Sequence, residues 1–271
     1  MSAECQIGID FADDKIRLVR IRREGTEAIE AASELRLPGY LNNDGIIDDE
    51  RGVINALRKL SGTYGAKAGQ SVFSVPNDKS NFTWLRFGEL EGREMRDAAR
   101  FKVRRSDQEP QDVAVAIAEL ETDDKLVVGA PTALVKQRKE VLNRAGYDVV
   151  GAETQAQSVL RSVAIAHNID SNLLSTTTVT IAHLTEGRTH IIVLQGGRLN
   201  FVRTTRIGYS GILAKAAEAL ALTIDQVGPV VFSQTCKINE KYVADVSLGD
   251  HEYAVDVSEP MDAFAKEFRR V

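Results

Sequence analysis

Two hairpin-like stretches constrain the fold of this chain more than any other feature. Residues 7–21 (IGIDFADDKIRLVRI) and 179–199 (VTIAHLTEGRTHIIVLQGGRL) each contain a strand, a short polar turn and a second strand. The apolar residues alternate with polar ones, as they do in half-buried strands. Each hairpin is followed by a further strand and then by a helical pattern. An order of strand, strand, strand and helix that occurs twice predicts a duplicated α/β domain.

The turns of the two hairpins carry the chemistry that such a duplicated domain would use. In ATPases built in this way, small residues in both turns let backbone N–H groups approach phosphates. Here the first turn holds Ala12-Asp13-Asp14, and the second is predicted at His183-Leu184-Thr185-Glu186. Two carboxylates beside a triphosphate would repel it. The sequence therefore predicts that the architecture is kept while the phosphate-binding chemistry is eroded.

Composition indicates a globular protein from a reducing compartment. The 271 residues are 43% hydrophobic and 27% charged, and the formal net charge of −5 creates no general attraction for nucleic acid. Cys5 and Cys236 lie far apart in the sequence, so we expect buried free thiols and no disulfide framework. The histidines show no metal-ligand spacing, so no metal site is expected.

No stretch of the sequence has the length and composition of a membrane-spanning helix. Such a helix needs ~18 apolar residues, and the N-terminal strand with its acidic neighbours does not have the pattern of a signal peptide. We therefore expect a cytoplasmic protein, or the cytoplasmic part of a larger one.

Periodicity and turn signals predict the order of the elements in the first half. The predicted strands are 6–11, 15–22, 26–37, 71–75, 82–87, 113–120, 126–130 and 148–152, and the predicted helices are 49–64, 91–104, 132–145 and 155–167. From residue 81 the pattern changes to a strand, a helix and two strands. This change predicts a small α+β insertion.

The second half repeats the first. The predicted elements are a hairpin at 178–194, a strand at 198–206, a turn at 207–211, a helix at 212–221, strands at 242–248 and 251–257, and a helix at 260–270. Thr223 is predicted to cap the N-terminus of another helix, and Gly249-Asp250 predicts a hairpin turn.

Several stretches of this sequence resemble PilM, the actin-like cytoplasmic protein of the type IV pilus inner-membrane complex, which is itself similar to FtsA. They are IGIDFADDKIRLVRI, LPGYLNNDGIIDDERGVINAL, SVFSVPN, REMRDAARFKVRRSDQEPQD, VVGAPTALVKQRKEVLNRAGYDVVGAETQAQSVLRS and GGRLNFVRTTRIGYSGILAKAAEALALTIDQV. The resemblance follows one order along almost the whole chain. It implies an α/β, actin-like (ribonuclease H-like) duplicated domain with a small α+β insertion subdomain.

The resemblance also implies a domain organisation. Residues 1–80 would form the first actin-like subdomain, 81–147 the inserted α+β subdomain, 148–170 the return strand and linking helix, and 171–271 a second half that is incomplete at its C-terminus. The sequence stops at Val271, before the Gly-rich segment that contacts adenosine in the family. We expect this difference to weaken nucleotide binding.

The resemblance implies a vestigial nucleotide cleft. Its candidate residues are Asp10, Ala12, Lys15, Thr185, Gly208 and Gly211. Relative to the family, the first turn keeps the aspartate but has Ala12 in place of glycine, and the second turn has His183 in place of an acid. ATP with magnesium is the only cofactor that the resemblance suggests. The alternative is structural: Asp10 as a turn residue, glycines for turn geometry, and Gln155 as a helix-capping residue. The functional role for Gln155 would be to orient a water.

The most aromatic stretch suggests a site for a partner protein. PilM-like proteins hold the N-terminal tail of the membrane protein PilN in a groove between the first subdomain and the insertion. The candidate residues for such a groove are Phe82, Trp84, Arg86, Phe87, Phe101 and Arg104. The alternative is a core strand. The neighbouring basic residues (Arg100, Lys102, Arg104, Arg105) suit an acidic partner or lipid headgroups, or simply the C-terminus of a helix.

These features together predict a scaffold whose ATPase function has degenerated. We expect it to lie in the cytoplasm, peripheral to the inner membrane through partners, where it would bind a PilN-like membrane protein and other components of a pilus or secretion platform. Self-association remains open, and no catalytic residue is predicted. The alternatives are an active Mg-ATP-binding actin-like ATPase that uses Asp10 and the Gly208 turn, the cytoplasmic domain of a GspL-like type II secretion protein, and an FtsA-like filament.

Overall fold

The chain divides into two compact units, Met1–Leu173 (unit 1) and Leu174–Val271 (unit 2). The computed structural model describes residues 5–12, 14–24, 26–63, 70–118, 123–167, 176–233 and 236–270. Asp13 and Thr122, which the sequence places in turns, lie outside these residues. No helix in the described ranges combines the length and the apolar character that a membrane span requires.

Unit 1 is built on a five-stranded sheet with the order β3-β2-β1-β4-β8. Its strands are β1 (Cys5–Phe11), β2 (Lys15–Glu24), β3 (Thr26–Arg36), β4 (Gln70–Val75) and β8 (Asp148–Thr154). The first three pair in antiparallel fashion, and β4 and β8 continue the sheet in parallel. The helices are α1 (Glu50–Thr63), α3 (Thr132–Ala145) and α4 (Gln155–His167).

Strand alternation places the core of unit 1 on one face of β1. Ile7, Ile9 and Phe11 are buried there, because successive side chains of a strand point to opposite faces. They belong to the same core cluster as Leu57 of α1 and Leu142 of α3. The apolar residues of both helices therefore face the sheet.

A second, smaller sheet in unit 1 has the order β5-β7-β6. It consists of β5 (Asn81–Arg86), β6 (Val113–Ile117) and β7 (Asp124–Pro131), and α2 (Gly92–Val103) packs on it through Ala99 and Val103. The strand predicted at 113–120 stops earlier, since β6 ends at Ile117 and Ala118 is not part of it, while residues 119 and 120 lie outside the described residues. This sheet and α2 together contain the one helix and three strands that the sequence predicted.

Unit 2 contains two three-stranded sheets, with the orders β11-β10-β9 and β12-β13-β14. Its elements are β9 (Thr178–Leu184), β10 (Thr189–Gln195), β11 (Arg198–Thr205), α5 (Ser210–Leu220), α6 (Ile224–Val231), β12 (Lys237–Ile238), β13 (Val243–Leu248), β14 (His251–Asp256) and α7 (Ser258–Phe268). The sequence analysis missed β12, which is short. The predicted cap is confirmed, since Thr223 and Gln226 form a reciprocal capping box.

Two expectations about unit 2 are wrong in detail. Helix α5 begins at Ser210, so Gly211 lies inside the helix and not in the turn that precedes it. Cys236 is free but only half-buried, since it borders the core of unit 2 and is not enclosed by it. Burial nevertheless raises the pKa of the Cys236 thiol. The side chain of Cys5 lies outside the described residues.

Candidate functional site

The turn between β1 and β2 is closed by hydrogen bonds within the chain. The Ala12 N–H donates to the carbonyl of Lys15 at 2.9 Å. The hydroxyl of Tyr40 lies 2.6 Å from the carbonyl oxygen of Ala12 and 3.0 Å from that of Lys15. The Lys15 ammonium group lies 3.1 Å from a carboxylate oxygen of Glu34. Ala12 and Lys15 were candidates for binding a phosphate. The Ala12 N–H and the Lys15 ammonium group therefore both have partners within unit 1.

The charges around this turn are also paired. Arg36 donates to the Asp14 carboxylate at 2.9 Å, and Arg17 donates to the Glu34 carboxylate at 2.8 Å. Burial works against the ionisation of Glu34, but hydrogen bonds from Arg17 and Lys15 outweigh it and lower the pKa of that carboxyl group. The turn is thus held by a small ion-pair network.

The buried hydroxyl of Tyr40 gives a test of this closed turn. We expect Tyr40→Phe to lower the free energy of unfolding by about 1–2 kcal/mol, because the change leaves the Ala12 carbonyl group of the turn without this donor. Urea denaturation followed by circular dichroism measures the loss. Tyr253→Phe is the control, since Tyr253 is 37% exposed in unit 2, and we expect no loss there. Equal stability of both variants would contradict the closed turn.

Asp10 lies where the ends of two strands meet the start of a helix. Its Oδ1 accepts hydrogen bonds from Ser74 at 2.6 Å and from the Gln155 amide at 3.3 Å, and its Oδ2 lies 3.5 Å from Arg17. The Ser74 hydroxyl also accepts a hydrogen bond from the Phe11 N–H at 3.2 Å. Asp10 therefore ties β1, β4 and α4 together. With part of its carboxylate still accessible, it is the residue of this cluster that could coordinate a magnesium ion.

Beneath this cluster lies Arg138, which the sequence analysis did not single out. Its side chain is fully buried, and it donates to the carbonyl groups of Ser74 at 2.6 Å and Gly45 at 3.2 Å. The guanidinium also lies 4.8 Å from the centroid of the Phe11 ring. Burial lowers the pKa of Arg138 to about 10, so it stays protonated at neutral pH. The sequence did contain a signal that could have identified Arg138: it lies on the apolar face of α3, four residues after Leu134.

The turn between β9 and β10 is filled by backbone groups as well. The Thr185 N–H donates to the carbonyl of Arg188 at 2.8 Å, which closes the hairpin. The segment before α5 then packs on this turn: the Tyr209 N–H donates to the Thr185 carbonyl at 3.0 Å, and the Ser210 N–H donates to the Glu186 carbonyl at 2.8 Å. Backbone donors at the start of α5 therefore bind the hairpin turn.

Packing accounts for both candidate glycines of unit 2. A Cβ added at Gly208 would lie 2.6 Å from the Arg188 nitrogen and closer still to two carbonyl oxygens of the same turn. A Cβ added at Gly211 would lie 3.0 Å from the Cβ of Pro260 in α7. Gly208 is therefore needed for close approach of two backbone segments, and Gly211 for the contact between two helices.

His183 lies in a strand and not in the turn where the sequence placed it. It belongs to β9 and pairs with His190 of β10. The two rings stack with their centroids 5.6 Å apart, and the Nδ1 of His190 lies 3.0 Å from the Thr204 hydroxyl. The residue at the position of the family's acid thus contacts a neighbouring ring on the sheet.

Gly208 and Gly211 also border a depression in the surface of unit 2 with a volume of about 510 Å³. Its lining includes the cations Arg206 and Lys215 and the anions Glu218 and Glu259. The Lys215 ammonium group lies 3.0 Å from the Glu259 carboxylate, and this contact raises the pKa of Lys215. Because its charges are mixed, the depression does not have the character of a polyphosphate site.

The aromatic stretch of β5 is half-buried. Phe82 and Trp84 keep part of their surface accessible, while Phe87, just after the strand, packs against the small core under α2. Arg86 is exposed and forms an ion pair with Asp124 on β7. The strand thus combines a core role with a partly open aromatic surface.

Helix α2 carries an exposed aromatic residue beside a cation. Phe101 is 58% exposed. The guanidinium carbon of Arg104 lies 4.8 Å from the centroid of its ring, and Arg104 donates to the Gln108 carbonyl at 2.7 Å. Arg105 donates to the carbonyl of Asp78 at 2.6 Å, which holds the end of α2 close to the end of β4. We call Phe101 and Arg104 together the Phe101–Arg104 pair.

Comparisons with known proteins identify the fold. No protein-family model matches the sequence, and no curated protein matches it. The solved PilM–PilN type IV pilus biogenesis complex is similar, with a TM-score of 0.66 and 15% identity over 82% of this chain and 67% of that chain. The cytoplasmic domain of EpsL, an inner membrane component of the type II secretion system of Vibrio cholerae, has a TM-score of 0.49 and 10% identity over 78% of this chain and 74% of that one. The ethanolamine utilization protein EutJ from Carboxydothermus hydrogenoformans has a TM-score of 0.48 and 14% identity over 84% of this chain and 61% of that one. The predicted actin-like α/β fold is confirmed.

Proposed function

We propose that this chain is an actin-like scaffold of a type IV pilus or related secretion platform at the inner membrane. In this role it binds a short cytoplasmic peptide of a PilN-like membrane protein and does not hydrolyse ATP. Its attachment to the membrane would be indirect, through such partners. The observation that carries the proposal is the closure of both hairpin turns by hydrogen bonds within the chain.

The hydrogen bonds of the turns argue against a polyphosphate ligand. A phosphate group binds to a turn through N–H groups that have no other acceptor. In this chain the Ala12 N–H and the Thr185 N–H each close their own hairpin, and the Ser210 N–H binds the second turn. Binding a triphosphate through these three N–H groups would require their bonds to break. That cost, added to the repulsion from nearby carboxylates, supports a scaffold without nucleotide.

The Phe101–Arg104 pair supports the docking part of the proposal. An exposed aromatic ring beside a guanidinium group is the kind of surface that is enriched at the centres of protein interfaces. Phe101 lies in α2 and Arg104 directly follows this helix, in the region where the family resemblance suggests an inserted subdomain and a peptide groove. One solved structure with a similar fold is a complex of PilM with PilN.

Calorimetric titration with Mg-ATP tests the first part. We expect no saturable heat when the 271-residue chain is titrated with Mg-ATP to millimolar concentration. Circular dichroism of the same sample serves as the control that the protein is folded. Saturable binding in the micromolar range would contradict the proposal and favour a nucleotide-dependent switch.

Fluorescence anisotropy with a labelled peptide tests the second part. The probe is a synthetic copy of the cytoplasmic tail of a PilN-like protein. We expect Phe101→Ala to weaken its binding about tenfold, or ~1.4 kcal/mol, because the exposed ring would lose its contact with the peptide. Phe232→Ala is the matched control, since Phe232 is 59% exposed in unit 2. Equal loss in both variants, or none in either, would contradict docking at α2.

A second candidate function is a weak Mg-ATPase, favoured by the contact between Asp10 and Gln155. The Gln155 amide donates to the Asp10 carboxylate at 3.3 Å, so an acid that could hold magnesium lies beside an amide that could orient a water. If this function were real, Asp10→Asn would abolish Mg-ATP binding that the unchanged chain shows. The calorimetric titration therefore decides between the two candidates.

A further inference from the structure

A cleft between helices α1 and α3 of unit 1 is lined by cations and, among the residues that the structure describes, by no acid. Its volume is about 210 Å³. Four of the lining residues carry N–H donors in their side chains and the fifth is apolar: they are Arg51, Asn55, Arg58 and Arg144, with Ile54. The depression in unit 2 differs, because acids lie among its cations. The ligand that suits the lining of the cleft in unit 1 is therefore an anion.

The spacing of residues in α1 places three of the donors on one side of the helix. Arg51, Asn55 and Arg58 lie at positions i, i+4 and i+7, which follow one another along a single helix face. Ile54 lies between them and is only 5% exposed, since it belongs to the core of unit 1. Arg144 comes from the last turn of α3. The cleft thus has an apolar floor and a rim of donors from two helices.

A chain of hydrogen bonds holds two of the guanidinium groups in place. The Gln137 side chain exchanges two hydrogen bonds of 2.8 Å with the backbone of Ile47 and donates to the Glu50 carboxylate at 3.1 Å. Arg144 donates to the same carboxylate at 2.6 Å, and Arg58 donates to the carbonyl of Arg144 at 2.8 Å. Groups that are already held lose less freedom when a ligand binds, so these contacts preorganise the cleft.

The same contacts leave most of the donors of the cleft available. A guanidinium group has five N–H donors, and the bonds above use one nitrogen of Arg58 and one of Arg144. Arg51 is exposed, and its side chain takes part in none of the hydrogen bonds or ion pairs among the described residues. Within this part of the chain, the position of Arg51 at the rim therefore has no structural explanation.

Charge and geometry together indicate a phosphate group. Three arginines, one of them paired with Glu50, leave about two positive charges at the cleft, and a phosphate monoester carries about −1.5 to −2 at neutral pH. Guanidinium forks bind phosphate oxygens in pairs, and a phosphate offers three oxygens where a carboxylate offers two. The cleft also has space for several groups of the size of a water molecule, at about 30 Å³ each. The carbon atoms that carry the phosphate can therefore lie over Ile54.

We propose that the cleft between α1 and α3 is a binding site for a phosphate monoester. The three arginines bind its oxygens, Asn55 donates a further hydrogen bond, and Ile54 contacts the carbon atoms of the carrier. The carrier is a small metabolite or a phosphorylated side chain of a partner protein, and the titration below distinguishes the two sources. The cleft shares no residue with the hairpin turns or with the Phe101–Arg104 pair, so the site does not depend on the function proposed above.

Calorimetric titration with two phosphate monoesters tests the site. The probes are glycerol 3-phosphate and a short neutral peptide with one phosphoserine, each added to the whole chain at low ionic strength, where exposed charges are screened least. We expect saturable binding, at least tenfold tighter than that of the methyl diester of the same probe, which carries one charge. Tighter binding of the peptide would identify a phosphorylated partner as the source. Glycerol 3-phosphate binding as well as the peptide, or better, would identify a small molecule.

Two variants of α1 test whether the probe binds in the cleft. Arg51→Gln removes one cation without removing any contact described above, and we expect the stronger probe to bind it at least tenfold more weakly. Asn55→Asp places a carboxylate at the rim, and we expect a loss at least as large. Arg93→Gln is the matched control, since it removes the same charge from a side chain of α2 that is 89% exposed, and we expect binding within twofold of the unchanged chain. Circular dichroism confirms that each variant is folded.

Three results would overturn the proposal. The first is no saturable binding of either monoester. The second is equal binding of the diester, which would show only a general attraction for anions. The third is the same affinity for Arg51→Gln and Arg93→Gln, which would place the ligand outside the cleft. Any heat with Mg-ATP that Arg51→Gln leaves unchanged would contradict the scaffold without nucleotide and not this site, so the two failures are distinguishable.

Discussion

Gly208→Ala is expected to lower the free energy of unfolding of unit 2 by about 3 kcal/mol, because overpacked backbone contacts cannot relax as a flexible side chain would. The added Cβ would lie 2.6 Å from the Arg188 nitrogen, and closer to the carbonyl oxygens of Thr185 and Glu186. To relieve the overlap, the segment before α5 must move off the hairpin turn. The bonds from Tyr209 and Ser210 to that turn would then be lost.

Chemical denaturation and amide exchange measure this effect. We expect a lower denaturation midpoint and faster exchange of the Tyr209 and Ser210 amides. Gly62→Ala is the matched control, since Gly62 lies in α1 with no heavy atom within 4 Å of an added Cβ. Alanine there should be neutral or stabilising by up to ~1 kcal/mol. A Gly208→Ala variant as stable as the unchanged chain would contradict the packing role of Gly208.

Arg138→Ala is expected to lower the free energy of unfolding by about 4 kcal/mol. The fully buried side chain donates to the carbonyl groups of Ser74 and Gly45 and lies over the ring of Phe11. Its removal leaves two carbonyl groups without these donors and a cavity in the core of unit 1. Because Ser74 also binds Asp10, we expect the candidate site to lose order together with the core.

Urea denaturation measures the loss, and two further variants identify its cause. Lys139→Ala is the control, since Lys139 is the exposed neighbour in the same helix, and we expect a change within ~0.5 kcal/mol. Arg138→Met fills most of the volume but cannot donate, so it should recover only the part of the loss due to the cavity. Full recovery with methionine would contradict a role for the hydrogen bonds.

The elements that the sequence predicted best are those with strong local signals. Helices Thr132–Ala145 and Gln155–His167 have the predicted bounds, since apolar spacing and clear end signals coincide in both. The hairpins, the cap at Thr223 and the strand β4 before Pro76 were also predicted. Turn and cap chemistry acts between residues that are close in sequence, so it can be predicted without the fold.

The candidate site shows where local signals are insufficient. Lys15 was a candidate for a phosphate, yet its ammonium group lies beside Glu34, which a neighbouring strand brings to it. Gly208 was a candidate for an anion, yet it allows contact with a turn some twenty residues earlier. Arg138 was not identified, because the role of a charged residue on an apolar helix face depends on the carbonyl groups that the fold places around it.

The sequence by itself determined the class of fold, the duplication, the elements of the second sheet of unit 1 and the approximate places of the two hairpins. These depend on periodicity and on residues near each other in the chain, which polar and apolar side chains encode directly. Only the tertiary structure decided that the turns are bonded to other segments and that Asp10 joins two strands and a helix. Both depend on groups that come from segments distant in the sequence: the Tyr40 hydroxyl at the first turn, the Tyr209 and Ser210 amides at the second, and the Ser74 and Gln155 side chains at Asp10.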